Sequence, residues 1–226
     1  MRIYKDFREA NNEIKRDLKE MGIRVVTQTM QDKKSEEGFE TLEIQNYIYT
    51  VLEPKLCDLD PTQPWADLEF MERVSSCPIN PGTAWEHRRE VWEQFLMKDI
   101  DRKPYFSYTY SERMYFQLRR IVNELKKHPE SRQLFLSIWN PHIDTGKLGE
   151  ERVPCSLGYY FQKRNGKLNM TYLQRSADFI THWQNDQYLA VKLLLWVANK
   201  AGVPVGTFTH WLGSLHVYTK DVEGVF

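Results

Sequence analysis

A cysteine set directly after a proline, in Arg152-Val-Pro-Cys155, is followed about twenty residues later by Gln174-Arg175-Ser176-Ala-Asp178. The two stretches lie on either side of what reads as one β-hairpin. Cys155 would act as a thiolate, which needs cationic or hydrogen-bonding support, and Arg152 and Arg175 are the local cations. Arg175-Ser176 combines a guanidinium fork with a hydroxyl donor, a good seat for a phosphate. Arg132, in His128-Pro-Glu-Ser-Arg132, precedes a strand and offers a further cation. A soft nucleophile beside a fixed cation is suited to attack on an electron-poor ring that carries a phosphate. His216 and Tyr218 stand two apart on an extended segment, so both side chains share one face as a pair of polar donors. Cys57 and Cys77 have no comparable neighbours and read as inert.

The rest of the chain narrows the class. Its 226 residues suit one domain spanning 1–226, and 41% hydrophobic with 13% aromatic residues is enough for a substantial core. With 31 basic and 31 acidic residues the net charge is zero, so no bulk field draws the protein to nucleic acid or to a membrane. An anionic partner must be held by a few local cations. The first residues lack an apolar signal core, and Lys192 and Lys200 interrupt the later apolar runs, so a cytoplasmic protein is expected. Three cysteines without a C-x-x-C pair argue against a disulfide framework and a zinc site, and no metal is expected. No phosphate-cradling glycine loop, His-Glu-x-x-His or Gly-x-Ser-x-Gly element is present.

The elements that must position these groups can be read from pattern. Residues 6–21 suggest an exposed amphipathic helix ending at Gly22, residues 23–27 a short strand, and 32–38 a polar loop. Residues 41–51 are rich in β-branched and aromatic types and read as a strand. Residues 54–64 form a proline-rich loop, and helices are expected over 65–74 and 84–97, separated by an irregular 77–82. Met114, Leu118, Ile121, Val122 and Leu125 recur at helical spacing within 111–127. A strand follows at 134–139. Residues 157–163 and 167–173 flank Asn165-Gly166, the dipeptide of tight hairpin turns. A strongly apolar, buried helix spans 188–201, closed by Gly202-Val-Pro204. The last strand covers 205–212, with a bend near Gly213. The fold class is α+β.

Taken in order, Pro129-Glu-Ser-Arg132, Ser137-Ile-Trp139-Asn140, Pro154-Cys155, Gln174-Arg-Ser-Ala-Asp178 and His216-Val-Tyr218 resemble the thymidylate synthase superfamily. The likeness runs in register from about Tyr105 to Tyr218. Gly213-Ser-Leu-His-Val-Tyr218 and Asp186, eight residues after Asp178, look closer to the phage deoxycytidylate hydroxymethylases. In that comparison the synthases acting on deoxyuridylate carry an asparagine where Asp186 stands. A carboxylate accepts from the cytosine amino group and from a protonated N3, whereas an amide matches the carbonyl and N–H of uracil. A shift of one residue would instead place Asn185 at the base and favour uracil.

The resemblance implies a thymidylate synthase-like fold, a mixed or antiparallel sheet forming a homodimer interface, helices on its other face, and active sites shared between subunits. It implies that Cys155 adds to C6 of a pyrimidine deoxynucleoside monophosphate and that 5,10-methylenetetrahydrofolate supplies the one-carbon unit. Arg175 and Ser176 would bind the phosphate, with Arg132 reaching it from the neighbouring subunit. His216 and Tyr218 would hold the sugar hydroxyl, Asp178 and Trp92 would face the folate, and Tyr105 would lie near the thiol. Glu69 would order active-site water, with Asp67 and Glu72 as alternatives. Three departures stand out: Gln133 replaces a second arginine, Tyr160 replaces a glutamine, and only eight residues follow Tyr218. The short tail suggests an open site that admits water. The resemblance points to hydroxymethylation of deoxycytidylate, used to mark viral DNA in the cytoplasm of an infected bacterium. A deoxyuridylate hydroxymethylase, a C5-methylase of either nucleotide and a catalytically silent nucleotide-binding dimer remain the other readings.

Overall fold

The structure is a computed structural model describing residues 2–26, 40–147 and 151–222. The expected polar loop at 32–38 lies outside these residues.

A mixed sheet organises the chain. Its strands are β1 (Arg2–Tyr4), β2 (Ile23–Val26), β3 (Glu40–Val51), β6 (Phe135–Ser137), β7 (Ser156–Arg164), β8 (Lys167–Asp178) and β9 (Val205–Tyr218), in the order β1-β3-β9-β8-β7-β6 with β2 pairing β3. Strands β4 (Met97–Lys98) and β5 (Pro104–Tyr105) form a separate two-stranded ribbon. The β7–β8 hairpin turns at Asn165 and Gly166, with φ of 50° and 74°, the left-handed pair that a two-residue turn requires. Strands β8 and β9 are parallel, so they need a crossover, which helix α6 (Trp183–Ala201) supplies.

Helices α1 (Phe7–Met21), α2 (Trp65–Arg73), α4 (Tyr110–Lys127) and α6 cover one side. Helix α1 is less exposed than its charge pattern suggests: Phe7, Ala10, Ile14 and Leu18 are fully buried against the core. Helix α4 starts at a reciprocal capping box between Thr109 and Glu112. The helix expected over 84–97 is instead broken into short helical turns, including α3 (Arg89–Trp92), and ends in β4, and a further short turn, α5 (Pro141–Asp144), follows β6. Tyr49, Tyr159, Tyr172, Trp183 and Phe208 form an aromatic centre with less than 2% exposure each.

The last strands run further than their sequence pattern indicates. Burial alternates along β8 through Gln174 and then changes phase, so Arg175 and Ser176 are both half-buried before Ala177 is buried again. Strand β9 changes phase beside it, at Gly213 and Ser214. A Cβ on Gly213 would lie 2.8 Å from the Arg175 carbonyl oxygen. The missing side chain therefore lets β9 close against β8 at the residue that carries the guanidinium. Beyond the kink both strands continue, to Asp178 and Tyr218.

Candidate active site

Cys155 precedes β7, and its carbonyl accepts from the Arg175 N–H at 2.8 Å. That pairing fixes the thiol beside the guanidinium: Arg175 Nη2 lies 3.9 Å from Cys155 Sγ. Arg175 is itself anchored by donating Nε to the Pro154 carbonyl at 2.9 Å and Nη2 to the Val153 carbonyl at 3.3 Å. The thiol is open to solvent but ringed by protein. Burial pushes its pKa up, opposed by Arg175, reinforced by Asp186, and opposed again by Arg152. The free protein therefore holds Cys155 as a thiol whose conversion to thiolate depends on these two arginines. The guanidinium of Arg152 sits over the rings of Tyr108, Trp92 and Phe95, at 4.5, 4.9 and 5.2 Å from their centroids.

Tyr108 and Tyr110 both feel the charge of the Cys155 thiolate, while Tyr105 pairs with Met97 in the β4–β5 ribbon. Burial pushes Tyr108 up to about 12 and Tyr110 well above the usual range, so both remain neutral donors. Tyr110 also shares a hydrogen bond of 3.1 Å with Ser156, the residue after the cysteine.

Asp186 is on the first turns of α6. Its Oδ2 accepts from Gln174 Nε2 at 2.7 Å. Burial raises its pKa, opposed chiefly by His182 and by the Gln174 hydrogen bond. His182, four residues before it, is pushed towards the neutral form by burial, against the pull of Asp186. Asn185 turns elsewhere: its Oδ1 accepts from the Thr62 N–H at 2.8 Å and its Nδ2 donates to Thr62 Oγ1 at 3.2 Å. Of the two neighbours, the carboxylate is the one held by Gln174, and its charge raises the Cys155 pKa.

The three acids of α2 separate in the same way. Asp67 is tied to Lys192 and to the Tyr188 hydroxyl. Glu72 accepts the Thr83 and Ala84 N–H groups at 2.7 and 2.9 Å, holding the following loop. Glu69 lies on Arg73 at 2.8 Å and lines a cleft with Trp65, Trp85, Trp92, Tyr108 and Arg152. Arg73 in turn stacks on the Tyr110 ring at 3.9 Å, which links Glu69 to the tyrosines beside the thiol. Trp65 and Trp92 stack at 6.0 Å. The indole N–H groups of Trp85 and Trp92 are buried without a partner among the described residues. Two orphaned donors in an aromatic cleft suit a flat heterocycle with acceptor atoms, and a folate fits that description.

At the far end, Asp178 is paired in register with His216, two rungs beyond Ser176 and Ser214. Asp178 Oδ1 accepts from Ile180 and Thr181 N–H groups at 2.9 and 3.3 Å, forming the turn into α6. His216 and Tyr218 share a face, with rings 5.7 Å apart. Burial lowers the His216 pKa. Its Nδ1 meets Ser214 Oγ at 3.4 Å, and Ser214 donates to Glu43 at 2.6 Å. Arg132 is not part of this cluster. Its side chain is exposed, and its carbonyl accepts from Tyr160 Oη at 2.9 Å, so the tyrosine replacing the expected glutamine tethers the Arg132 backbone.

Residues 80–226 match the thymidylate synthase family. The chain belongs to that family. It is similar to a Methanosarcina barkeri protein named "Putative thymidylate synthase", 35% identical over 150 residues covering 63% of this chain and 67% of that one. A protein of the same name from Methanocaldococcus jannaschii is 29% identical over 180 residues, 79% of this chain and 76% of the relative. The thymidylate synthase of Clostridium beijerinckii is 27% identical over 139 residues, 60% and 50% of the two chains. The thymidylate synthase family transfers a one-carbon unit from methylenetetrahydrofolate to a pyrimidine nucleotide. Among the described residues no group of His, Cys, Asp and Glu is arranged to hold a metal ion, and no helix is long and apolar enough to cross a membrane.

His182, Tyr108, Tyr110 and Arg73 were not singled out by sequence, and Gln174 entered only as the first residue of its motif, without a role. His182 and Asp186 are spaced as helical neighbours, a signal that was available. The others have none, because only the tertiary fold brings them to the thiol.

Proposed function

We propose that the chain is a deoxycytidylate 5-hydroxymethyltransferase that uses 5,10-methylenetetrahydrofolate, acting through a covalent Cys155–C6 adduct. The observation that carries this reading is that the Asp186 carboxyl is held by Gln174, the residue before Arg175 in β8, while Asn185 is bound to Thr62 instead. An ionised carboxylate accepts from the cytosine amino group but opposes the uracil C4 carbonyl.

Arg175 and Ser176 hold the phosphate, joined by Arg132 from a second subunit, while His216 and Tyr218 hold the sugar hydroxyl. Cys155 thiolate adds to C6, and the C5=C6 electron pair moves into the ring as Asp186 supports a proton at N3. The folate would supply a one-carbon unit at the formaldehyde level, taken up by C5, and would depart as tetrahydrofolate with the electron pair of the broken C–N bond. Glu69, above Arg73, orders water in the cleft and removes the C5 proton through it. Water adds to the resulting exocyclic methylene, and cleavage of the Cys155 Sγ–C6 bond restores the C5=C6 double bond and returns the thiolate. Trp92 and Asp178 line the folate side. Residues 1–226 act as one domain. The sheet face away from the helices, with half-buried Ile48, Leu173 and Trp211, is the dimer interface that brings Arg132 to its partner's site.

The names of the relatives favour a second reading, in which the product is C5-methylated. Incubation with deoxycytidylate or deoxyuridylate and methylenetetrahydrofolate, followed by mass measurement, separates the two. Hydroxymethyl-deoxycytidylate is expected. A methylated product establishes the second reading, and turnover of deoxyuridylate alone overturns the base assignment.

A further inference from the structure

Asp186 stands at the end of a buried chain of hydrogen bonds that the chemistry above does not use. Its Oδ2 accepts from Gln174 Nε2 at 2.7 Å, Gln174 Oε1 meets His210 Nε2 at 2.9 Å, and His210 Nδ1 meets the Tyr49 hydroxyl at 3.1 Å. Gln187 Nε2 donates to that hydroxyl at 2.9 Å. His210 has no solvent exposure. Its ring lies near-parallel to Tyr172 and Trp183, with centroids 4.5 and 5.6 Å away and both interplanar angles 16°.

We propose that His210, acting through Gln174, is a positioning residue that holds Asp186 as a hydrogen-bond acceptor and thereby sets the choice of pyrimidine. The direction of every bond follows from the ends. A carboxylate can only accept, so Gln174 turns its amide NH2 to Asp186 and its oxygen to His210. That oxygen requires the proton on His210 Nε2. The neutral ring then leaves Nδ1 bare, to accept from Tyr49. Full burial keeps the ring neutral, with its pKa lowered to about 3, so the tautomer is not disturbed by protonation near neutrality. With the carboxamide locked, Oδ2 of Asp186 is occupied by a donor and Oδ1 remains for the base. Without the lock Gln174 no longer donates to Asp186, and burial then favours the protonated form. A carboxylic acid offers one donor and one acceptor, which uracil satisfies as well as cytosine does. Discrimination is then lost.

This inference rests on the reading of Asp186 as the group facing the base, and the experiment separates the two. The ratio of kcat/KM for deoxycytidylate over deoxyuridylate is measured in the full-length protein and in His210→Phe, Gln174→Met, His210→Gln and Asp186→Asn. In His210→Phe and Gln174→Met the ratio is expected to fall by about 10- to 100-fold, the size of one hydrogen bond to a charged group. His210→Gln, which keeps a donor near the Nε2 position, should restore most of it. A purely structural role would lower turnover of both nucleotides together and leave the ratio unchanged, which overturns the proposal. In the wild-type protein, 15N NMR of the slowly exchanging imidazole should report the Nε2–H tautomer. The Nδ1–H tautomer overturns the proposal even where a variant does not fold. A ratio unchanged in Asp186→Asn defeats the underlying base assignment, whereas a change there without one in His210→Phe defeats the relay alone.

Discussion

Replacing Arg175 by glutamine should raise the pKa of the Cys155 thiol by about 1–2 units. At 3.9 Å between Nη2 and Sγ, a unit charge pair is worth about 1 kcal/mol in water and about 4 kcal/mol at an effective dielectric of 20. Dividing by about 1.36 kcal/mol per pKa unit gives roughly 1–3 units. The thiol is open to solvent, which favours the lower part of that range. The sign follows from chemistry: the cation favours thiolate, so its loss favours thiol. The assay is the pH dependence of alkylation by iodoacetamide, followed site by site by mass spectrometry. Cys57 and Cys77 are also exposed and serve as internal controls whose midpoints should not move. The midpoint is the quantity to read, because a thiolate of higher pKa is more nucleophilic and partly masks a change in rate at fixed pH. Arg175→Lys keeps the charge and should shift the midpoint less. A folded Arg175→Gln protein with an unchanged Cys155 midpoint would refute the claim that this guanidinium supports the nucleophile.

Three further outcomes follow. Asp186→Asn should gain deoxyuridylate turnover relative to deoxycytidylate by about 5- to 150-fold, the value of one mismatched buried polar group of about 1–3 kcal/mol, read as a ratio of kcat/KM. Glu69→Gln should lower kcat by about 10²-fold or more while nucleotide affinity changes only a few-fold, the signature of a group that manages a proton rather than binding. His210 makes stability acid-sensitive: its folded pKa, about 3, lies below the unfolded value of about 6.5. Its stabilising contribution is thus complete above pH 6.5 and declines as the pH falls towards 3, by at most about 5 kcal/mol. Denaturant titrations of His210→Phe should show a flatter pH dependence than the wild type across that window.

Much of the frame was legible in the chain. Asn165-Gly166 marked the hairpin, which brings Arg175 to Cys155 only after a β-bulge between Ser156 and Gly158 shifts the pairing by one residue, and nothing in the sequence announced that bulge. The spacing from Met114 to Leu125 located α4. The phase change at Arg175 and Gly213 was not legible beyond a hint of a bend. It arises where β8 and β9 approach too closely for a Cβ, a property of two strands far apart in sequence. The segment 84–97 read as a helix, but Trp92 stacks on Trp65, Trp85 meets Phe106 edge-on, and the backbone there is a series of short turns. Tyr105 illustrates the same limit: it is three residues from Tyr108, and only the tertiary fold decides which ring packs under Arg152. Choosing Asp186 over Asn185 needed the helix phase, which Thr62 reveals by binding the amide.

The central claim is a bond between one sulfur and carbon 6 of a pyrimidine. It is tested most directly with 5-fluoro-deoxycytidylate and methylenetetrahydrofolate, because fluorine at C5 cannot leave as a proton and the adduct should persist. Mass spectrometry of the digested protein should find nucleotide and folate fragment together on the peptide containing Cys155, and none in Cys155→Ser. Nucleotide bound without any covalent mass on that peptide, or mass found only on Cys57 or Cys77, would contradict the account.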